Sequence, residues 1–289
     1  MDGVINIFKH SGVSSHDIVQ SVRKSLGIRK VGHTGTLDPD AVGVLPICIG
    51  KATRLVEYLT STTKGYRALL RFGAETDTQD ASGEITKETE FPTADFAEFK
   101  NVLEKFKGEI EQVPPMYSAL KVAGQPLYQL ARQGKEITRE PRKITIYDIK
   151  IISYTNEAAI IDVICSKGTY IRTLCQDIGR ALNSSAYMSF LLRTRSGIFE
   201  LAESFTIDEL TRLPLESFLI KPADSLKDWP LLKVSDQELK RIINGNQIEL
   251  KGRALELPQN KMYKVVENNE LLAVGLKTDH YFKPVKVFR

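Results

Sequence analysis

The chain has 289 residues, 42% hydrophobic and 26% charged, which excludes a disordered or fibrous protein and supplies enough apolar material for a sizeable core. Its 40 basic and 36 acidic side chains leave a net charge of +4, too modest to name a partner by itself. No apolar run approaches the roughly 20 residues needed to span a bilayer. Residues 1–10 lack a basic flank followed by an apolar stretch, so the expectation is a soluble cytoplasmic protein without a secretion signal.

In chain order, weak alternation over 3–8 predicts a strand. The following Gly/Ser turn offers Ser14 or Ser15 as the cap of a helix running to Leu26. Residues 32–50 are punctuated by glycine and proline and read as a structured loop. A helix over 51–59 and a strand over 64–72 follow. The acidic run 75–84 reads as a turn or exposed loop; it resembles a calcium loop, but Ser82 stands where that loop needs glycine. Next come a helix over 93–106, an irregular stretch, strands over 143–154 and 158–165, and a helix over 169–182. The elements mix without a regular βαβ rhythm, which favours α+β. Pro, Asp and Trp between 222 and 232 suggest a boundary. It would separate a main domain of residues 1–230 from a small, mostly β appendage of residues 231–289.

Three cysteines (Cys48, Cys165, Cys175) are too few for a disulfide framework and do not pair with the four histidines at zinc-ligand spacings. Core packing is the expectation for all three, and no metal site is expected. Charge is more informative in its distribution. Between 118 and 150 seven basic residues face three acidic ones, an excess equal to that of the whole chain. A second cluster, Arg23, Lys24, Arg29 and Lys30, leads into Gly32. Together they hint at a polyanionic partner.

The sequence GHTGTLDPD is the most unusual segment. A carboxylate at Asp38, in a glycine-flanked loop and restricted by Pro39, suits a positioned nucleophile or base; an ordinary turn satisfies the pattern equally well. Asp38 and Asp40 also fit DxDx[TV], similar to magnesium-dependent haloacid-dehalogenase phosphatases, although no hydrophobic strand precedes them here. In SKGTYIR, Lys167 and Arg172 beside a helix start suit an anion, or Arg172 is a surface charge. In KGYR, Tyr66 is a platform for a base or simply a sheet residue.

These segments, in this order, resemble the TruB family of tRNA pseudouridine synthases. The blocks are GHTGTLDPDAVGVLPICIGKATRL, KGYRALLRFGAETDTQDASGE, QVPPMYSALKVAGQPLYQLARQGKEI, CSKGTYIRTLCQDIGRAL and FLLRTRSG. The C-terminal stretch looks like a short PUA domain, a β-rich RNA-binding module. The resemblance implies a pseudouridine synthase fold: a mixed, largely antiparallel central sheet flanked by helices. It implies isomerisation of uridine-55 in the tRNA T-loop, with no cofactor and no obligate protein partner, and a monomer is expected.

The resemblance assigns catalysis to Asp38 and pairs it with Arg172, whose charge should lower the carboxyl pKa. Tyr66 would stack on the flipped uracil, His33 would fill the space the nucleotide leaves, and Tyr170, Leu191 and Lys121 would line or support the pocket. Phosphate contacts are expected from Lys9, Lys167, Arg193 and an RNA-clasping insertion over 124–143 carrying Arg132, Lys135, Arg139, Arg142 and Lys143. Two departures stand out. His10 follows Lys9 where the family usually has proline, and Leu192 stands where relatives often have arginine.

Overall fold

A computed structural model describes residues 1–118, 120–122, 124–250, 252 and 257–288. Strand β1 (Gly3–Lys9) runs into α1 (Ser15–Leu26). Ser14 caps that helix, its hydroxyl accepting from the Asp17 amide while the Asp17 carboxylate accepts from the Ser14 amide. Gly27, at φ 65°, ends it. The region 32–50, expected to be loop throughout, is two strands around a short loop: β2 (Val31–His33) and the buried β3 (Val42–Ile49). Glycine and proline misled there because β3 is a buried central strand with an unusual partner pattern.

The chain continues through α2 (Val56–Thr60), β4 (Lys64–Phe72) and a small hairpin of β5 (Ala74–Thr76) and β6 (Ile85–Glu88). After α3 (Phe96–Glu104) and β7 (Gly108–Gln112) comes a second hairpin, β8 (Lys121–Val122) with β9 (Gln125–Pro126), leading into the short α4 (Leu127–Arg132). The paired strands β10 (Arg142–Tyr154) and β11 (Ala158–Cys165) precede α5 (Ile171–Ala181) and β12 (Ala186–Ser196). Then follow β13 (Phe199–Glu200), α6 (Ile207–Arg212) and β14 (Leu219–Ile220).

Ten of these strands form one mixed sheet in the order β14-β1-β3-β12-β4-β11-β10-β7, with β2 on β3 and β13 on β12. Pairing is antiparallel except between β3 and β12, where Leu192 meets Val42 and Arg193 meets Gly43. Pro46, which has no N–H to give a ladder, stands where one side of β3 passes from β12 (at 42–43) to β2 (at 47–49). One face of the β4–β11–β10 half packs on α3 and α5 through Leu70, Phe99, Ile161, Leu174 and Ile178. The β1–β3 half packs on α1 through Ile5, Ile7, Ile18, Val22, Leu45 and Ile47. The α+β class expected from the sequence is the class observed. All three cysteines are buried and free.

Beyond Trp229 the chain forms α7 (Asp236–Ile243) and a four-stranded antiparallel sheet. Its strands are β15 (Ile248–Glu249), β16 (Met262–Glu267), β17 (Glu270–Lys277) and β18 (Tyr281–Val287). One face has its own core around Leu232, Ile242, Tyr263 and Phe282. The other packs Leu271, Val274 and Phe288 directly on Val4, Val44 and Leu55 of the large sheet's region. The Tyr58 and Trp229 rings meet edge to face at 5.2 Å across this seam. Nζ of Lys264 also donates to the carbonyls of Ala223 and Leu226.

Candidate active site

The loop between β2 and β3 carries Asp38 and is held on every side. From α1, the Ser15 hydroxyl accepts from the Leu37 amide at 2.8 Å and donates to its carbonyl at 3.1 Å. From β1, the fully buried Lys9 points its amine at the carbonyls of His10, Val13 and Pro39. The Gly12 amide also donates to Pro39. From β12, Arg193, 1% exposed, donates through Nε to Val44 and through its two terminal nitrogens to Thr36 and Gly35. The loop closes on itself where the Ala41 amide donates to the Asp38 carbonyl.

Lys9 and Arg193 were expected at the RNA surface. Both instead lie inside, their charges turned onto backbone carbonyls, and neither presents a donor to a phosphate outside. Burial pushes the Lys9 amine down to about 8. Gly43, paired with Arg193, has φ +109°, and a Cβ there would lie 2.3 Å from the Arg193 carbonyl, so only glycine fits.

Opposite the loop, Arg172 projects from the first turn of α5 and is 5% exposed. Its Nε lies 3.1 Å from an Asp38 carboxylate oxygen. Its terminal nitrogens donate to the Thr78 and Tyr117 carbonyls at 3.1 and 2.8 Å, and one faces Asp80 at 3.7 Å. The acidic run 75–84 is therefore not a free loop. Glu75 and Thr76 are buried, and Glu75 is bound by Gln176 and Arg180 of α5. Asp80 accepts from the Thr78 and Ser82 hydroxyls. Burial pushes the Asp38 carboxyl above its ordinary value, Arg172 pulls it back, and Asp80 adds to the rise. The net direction is up, opposite to the expected lowering, because desolvation outweighs the guanidinium.

Tyr66 sits on β4 directly across from Arg193 on β12, on the face that carries the loop. Burial pushes its phenol up, and the positive charge of Arg193 works against that. Lys64, two residues before, is buried with its amine on the Thr62 hydroxyl, and burial pushes it down to about 7. His33 accepts the Gly35 amide on Nδ1, and burial lowers its pKa, so the ring is neutral with its proton on Nε2. The Tyr170 backbone is clasped in both directions by the Gln112 amide group. Leu191 is a core residue packed with the cluster that Tyr66 borders.

Lys121 lies exposed on the β8–β9 hairpin. Arg132, Lys135, Arg142 and Lys143 are exposed and Arg139 half-buried. Arg132 lies over the Tyr128 ring, Arg139 pairs with Glu136, and Lys143 pairs with Glu109. Lys167 is exposed and donates to Ser61.

Residues 23–171 match the model of the TruB family pseudouridylate synthase N-terminal domain. Residues 172–226 match the tRNA pseudouridylate synthase B C-terminal domain. A tRNA pseudouridine synthase B of Alkaliphilus oremlandii is 45% identical over all of this chain and 98% of its own length. One of Symbiobacterium thermophilum is 47% identical over 85% of this chain and 82% of its own. The chain belongs to the TruB family of pseudouridine synthases. It is an isomerase. A solved Cbf5-Nop10-Gar1 complex has the same fold, with a TM-score of 0.75 at 26% identity over 99% of this chain and 84% of that one. A solved H/ACA RNP bound to a substrate RNA containing 2′-deoxyuridine gives the same TM-score at 24% identity, again over 99% of this chain, with 85% of that one covered. The phosphatase pattern at Asp38 and Asp40 is set aside, since the whole region belongs to this family.

Sequence reasoning missed Ser15, Lys64 and Asp80, and misread Lys9 and Arg193. Serine beside a helix cap reads as a cap, and a charged residue in a strand reads as surface. A signal for Arg193 did exist: Gly43 and Gly35 mark where a backbone comes close to something large.

Proposed function

We propose that this chain isomerises uridine-55 in the T-loop of tRNA to pseudouridine, with Asp38 as the catalytic carboxylate. The observation carrying the reading is the 3.1 Å pair of Asp38 and the buried Arg172, on a loop fixed from three elements. The relatives' printed name, tRNA pseudouridine synthase B, supports tRNA as the substrate. The reaction breaks the C1′–N1 bond, turns the uracil and joins C5 to C1′. Asp38, 41% exposed at its side chain, is open to a base entering the site, and Arg172 orients it.

The target base must leave the T-loop stack, at a cost of a few kcal/mol. Stacking on Tyr66 would return roughly 1–3 kcal/mol. In this reading Arg132, Lys135, Arg139, Arg142, Lys143 and Lys167 meet phosphates, and T-loop shape matters more than base identity. Residues 1–230 form the catalytic domain and residues 231–289 a PUA-like RNA-binding domain. The protein acts as a cytoplasmic monomer; among the described residues no helix is long and apolar enough to cross a membrane.

The test uses unmodified tRNA transcript tritiated at uracil C5, with wild type and Asp38→Asn in EDTA. Release from wild type alone, with pseudouridine mapped at position 55, is the expected result. Release by Asp38→Asn, or a product elsewhere in the tRNA, overturns the reading.

A further inference from the structure

Arg193 does more than pin a loop. Arginine has five N–H donors and no acceptor, and three of its nitrogens already serve the carbonyls of Gly35, Thr36 and Val44. Its cross-strand partner on β4 is Tyr66, and the guanidinium is among the charges that act on that phenol. The three hydrogen bonds of Arg193 all go to carbonyls, so the charge rests against dipoles rather than against a carboxylate. Leaving a buried cation without a counter-carboxylate is costly. A phosphate contact, which the sequence suggested, would need this group outside, and it is 1% exposed.

We propose that Arg193 is a positioning residue that sets the Asp38 loop and the Tyr66 hydroxyl in one frame, fixing their separation and polarising the phenol oxygen. The proposal rests on the reading above, in which Asp38 and Tyr66 face the same uracil. The isomerisation exchanges one proton: C5 loses the one it carried, and N1, freed from C1′, gains one. A phenol oxygen that takes the C5 proton must first release its own to solvent. The phenolate so formed is stabilised by a fixed positive charge on the side away from the substrate.

The charged and titratable groups around the phenol come from several elements. They are Asp38 on the loop, Cys165 on β11 and Arg193 on β12, with Lys64 on β4 and Lys9 on β1 facing Arg193 in turn. Arg193 adds to the push of the Lys64 amine toward neutrality.

The test compares wild type, Arg193→Gln and Arg193→Lys on full-length protein. Single-turnover rate, tRNA dissociation constant with its salt slope, thermal midpoint and Tyr66 ionisation are each measured. The ionisation is isolated as the ultraviolet titration difference from the same protein carrying Tyr66→Phe. The expected rate loss is about 10²-fold, within the range for a proton-transfer group, with binding and its salt slope unchanged. Arg193→Gln should raise the Tyr66 ionisation by about one unit, since the stabilising charge is gone. Arg193→Lys keeps the charge but offers one nitrogen for three, so it should lose rate with a smaller ionisation shift. If Arg193→Gln does not fold, that smaller shift together with the rate loss decides the matter.

A weaker dissociation constant with a shallower salt slope would make Arg193 a phosphate contact and overturn the proposal. A rate loss that tracks the thermal midpoint while Tyr66 ionisation stays put would make it a structural brace only, which overturns it too. An active Asp38→Asn would sink the catalytic assignment instead, and leaves the Tyr66 titration as an independent reading of Arg193.

Discussion

Arg172 Nε stands 3.1 Å from the Asp38 carboxylate while a terminal nitrogen of the same guanidinium faces Asp80 at 3.7 Å, so one buried arginine spans two carboxylates. Its remaining bonds, to the Thr78 and Tyr117 carbonyls, fix its plane. The position of Asp38 is thus tied to the 75–84 run and to the chain before α4, not only to its own loop.

Arg172 also sets a pH limb. In the proposed mechanism the ionised Asp38 is the active form, and burial raises its pKa, so activity should fall on the acid side at a higher pH than an ordinary carboxylate would give. Arg172→Met removes the main influence holding that pKa down, and the limb should move further up. Single-turnover rates across pH read this directly; a limb that stays or moves down contradicts the arrangement.

Ser15→Ala strips both bonds from Leu37 in a buried setting. An unsatisfied buried amide costs about 1–3 kcal/mol, so denaturant unfolding should register a loss of that size. Turnover should fall while tRNA binding holds, because the loop loosens without any change in the RNA surface.

Lys64 gives a stability signature with the opposite sign to a salt bridge. Its amine sits near 7 in the folded state and at its ordinary 10.5 when unfolded, so the unfolded chain binds the extra proton between those values. Stability from this group therefore rises with pH across that window and is lowest below it. Lys64→Met should flatten that part of the stability profile, with its largest gain over wild type on the acid side. Thermal midpoints at two pH values suffice to check it.

Salt dependence tests the RNA surface. If Arg132 and Lys135, both exposed on the segment after α4 begins, meet phosphates, the double alanine variant should lower the slope of log affinity against log salt by about 2. Lys9→Met should leave the slope alone, since its amine is enclosed.

The motif around Asp38 was readable because glycine, histidine and proline are clustered there with a chemistry-bearing group. Strand β11 was readable because its alternation agrees with its burial, and β1, β4 and β10 because β-branched and apolar residues are dense in them. Strand β3 was not, since Gly43 and Pro46 punctuate it for reasons that lie in other strands. Lys9 and Arg193 were misplaced for a similar cause. Sequence gives a charge no depth: the carbonyls that receive Arg193 come from distant segments, and those that receive Lys9 from the adjoining turn and from Pro39. Asp80 looked like solvated acid until α5 supplied its partner.

The direction of those carbonyls has a further consequence. The loop bearing Asp38 takes its shape from bonds to α1, β1 and β12 that exist before any RNA arrives, so its entropy of ordering falls due at folding rather than at each encounter. The Asp38 loop therefore has little ordering left to do when a substrate arrives. In the proposed function, discrimination at this loop lies in whether an RNA can present its uridine to a carboxylate already in place, which makes the deformability of the RNA the selective variable there.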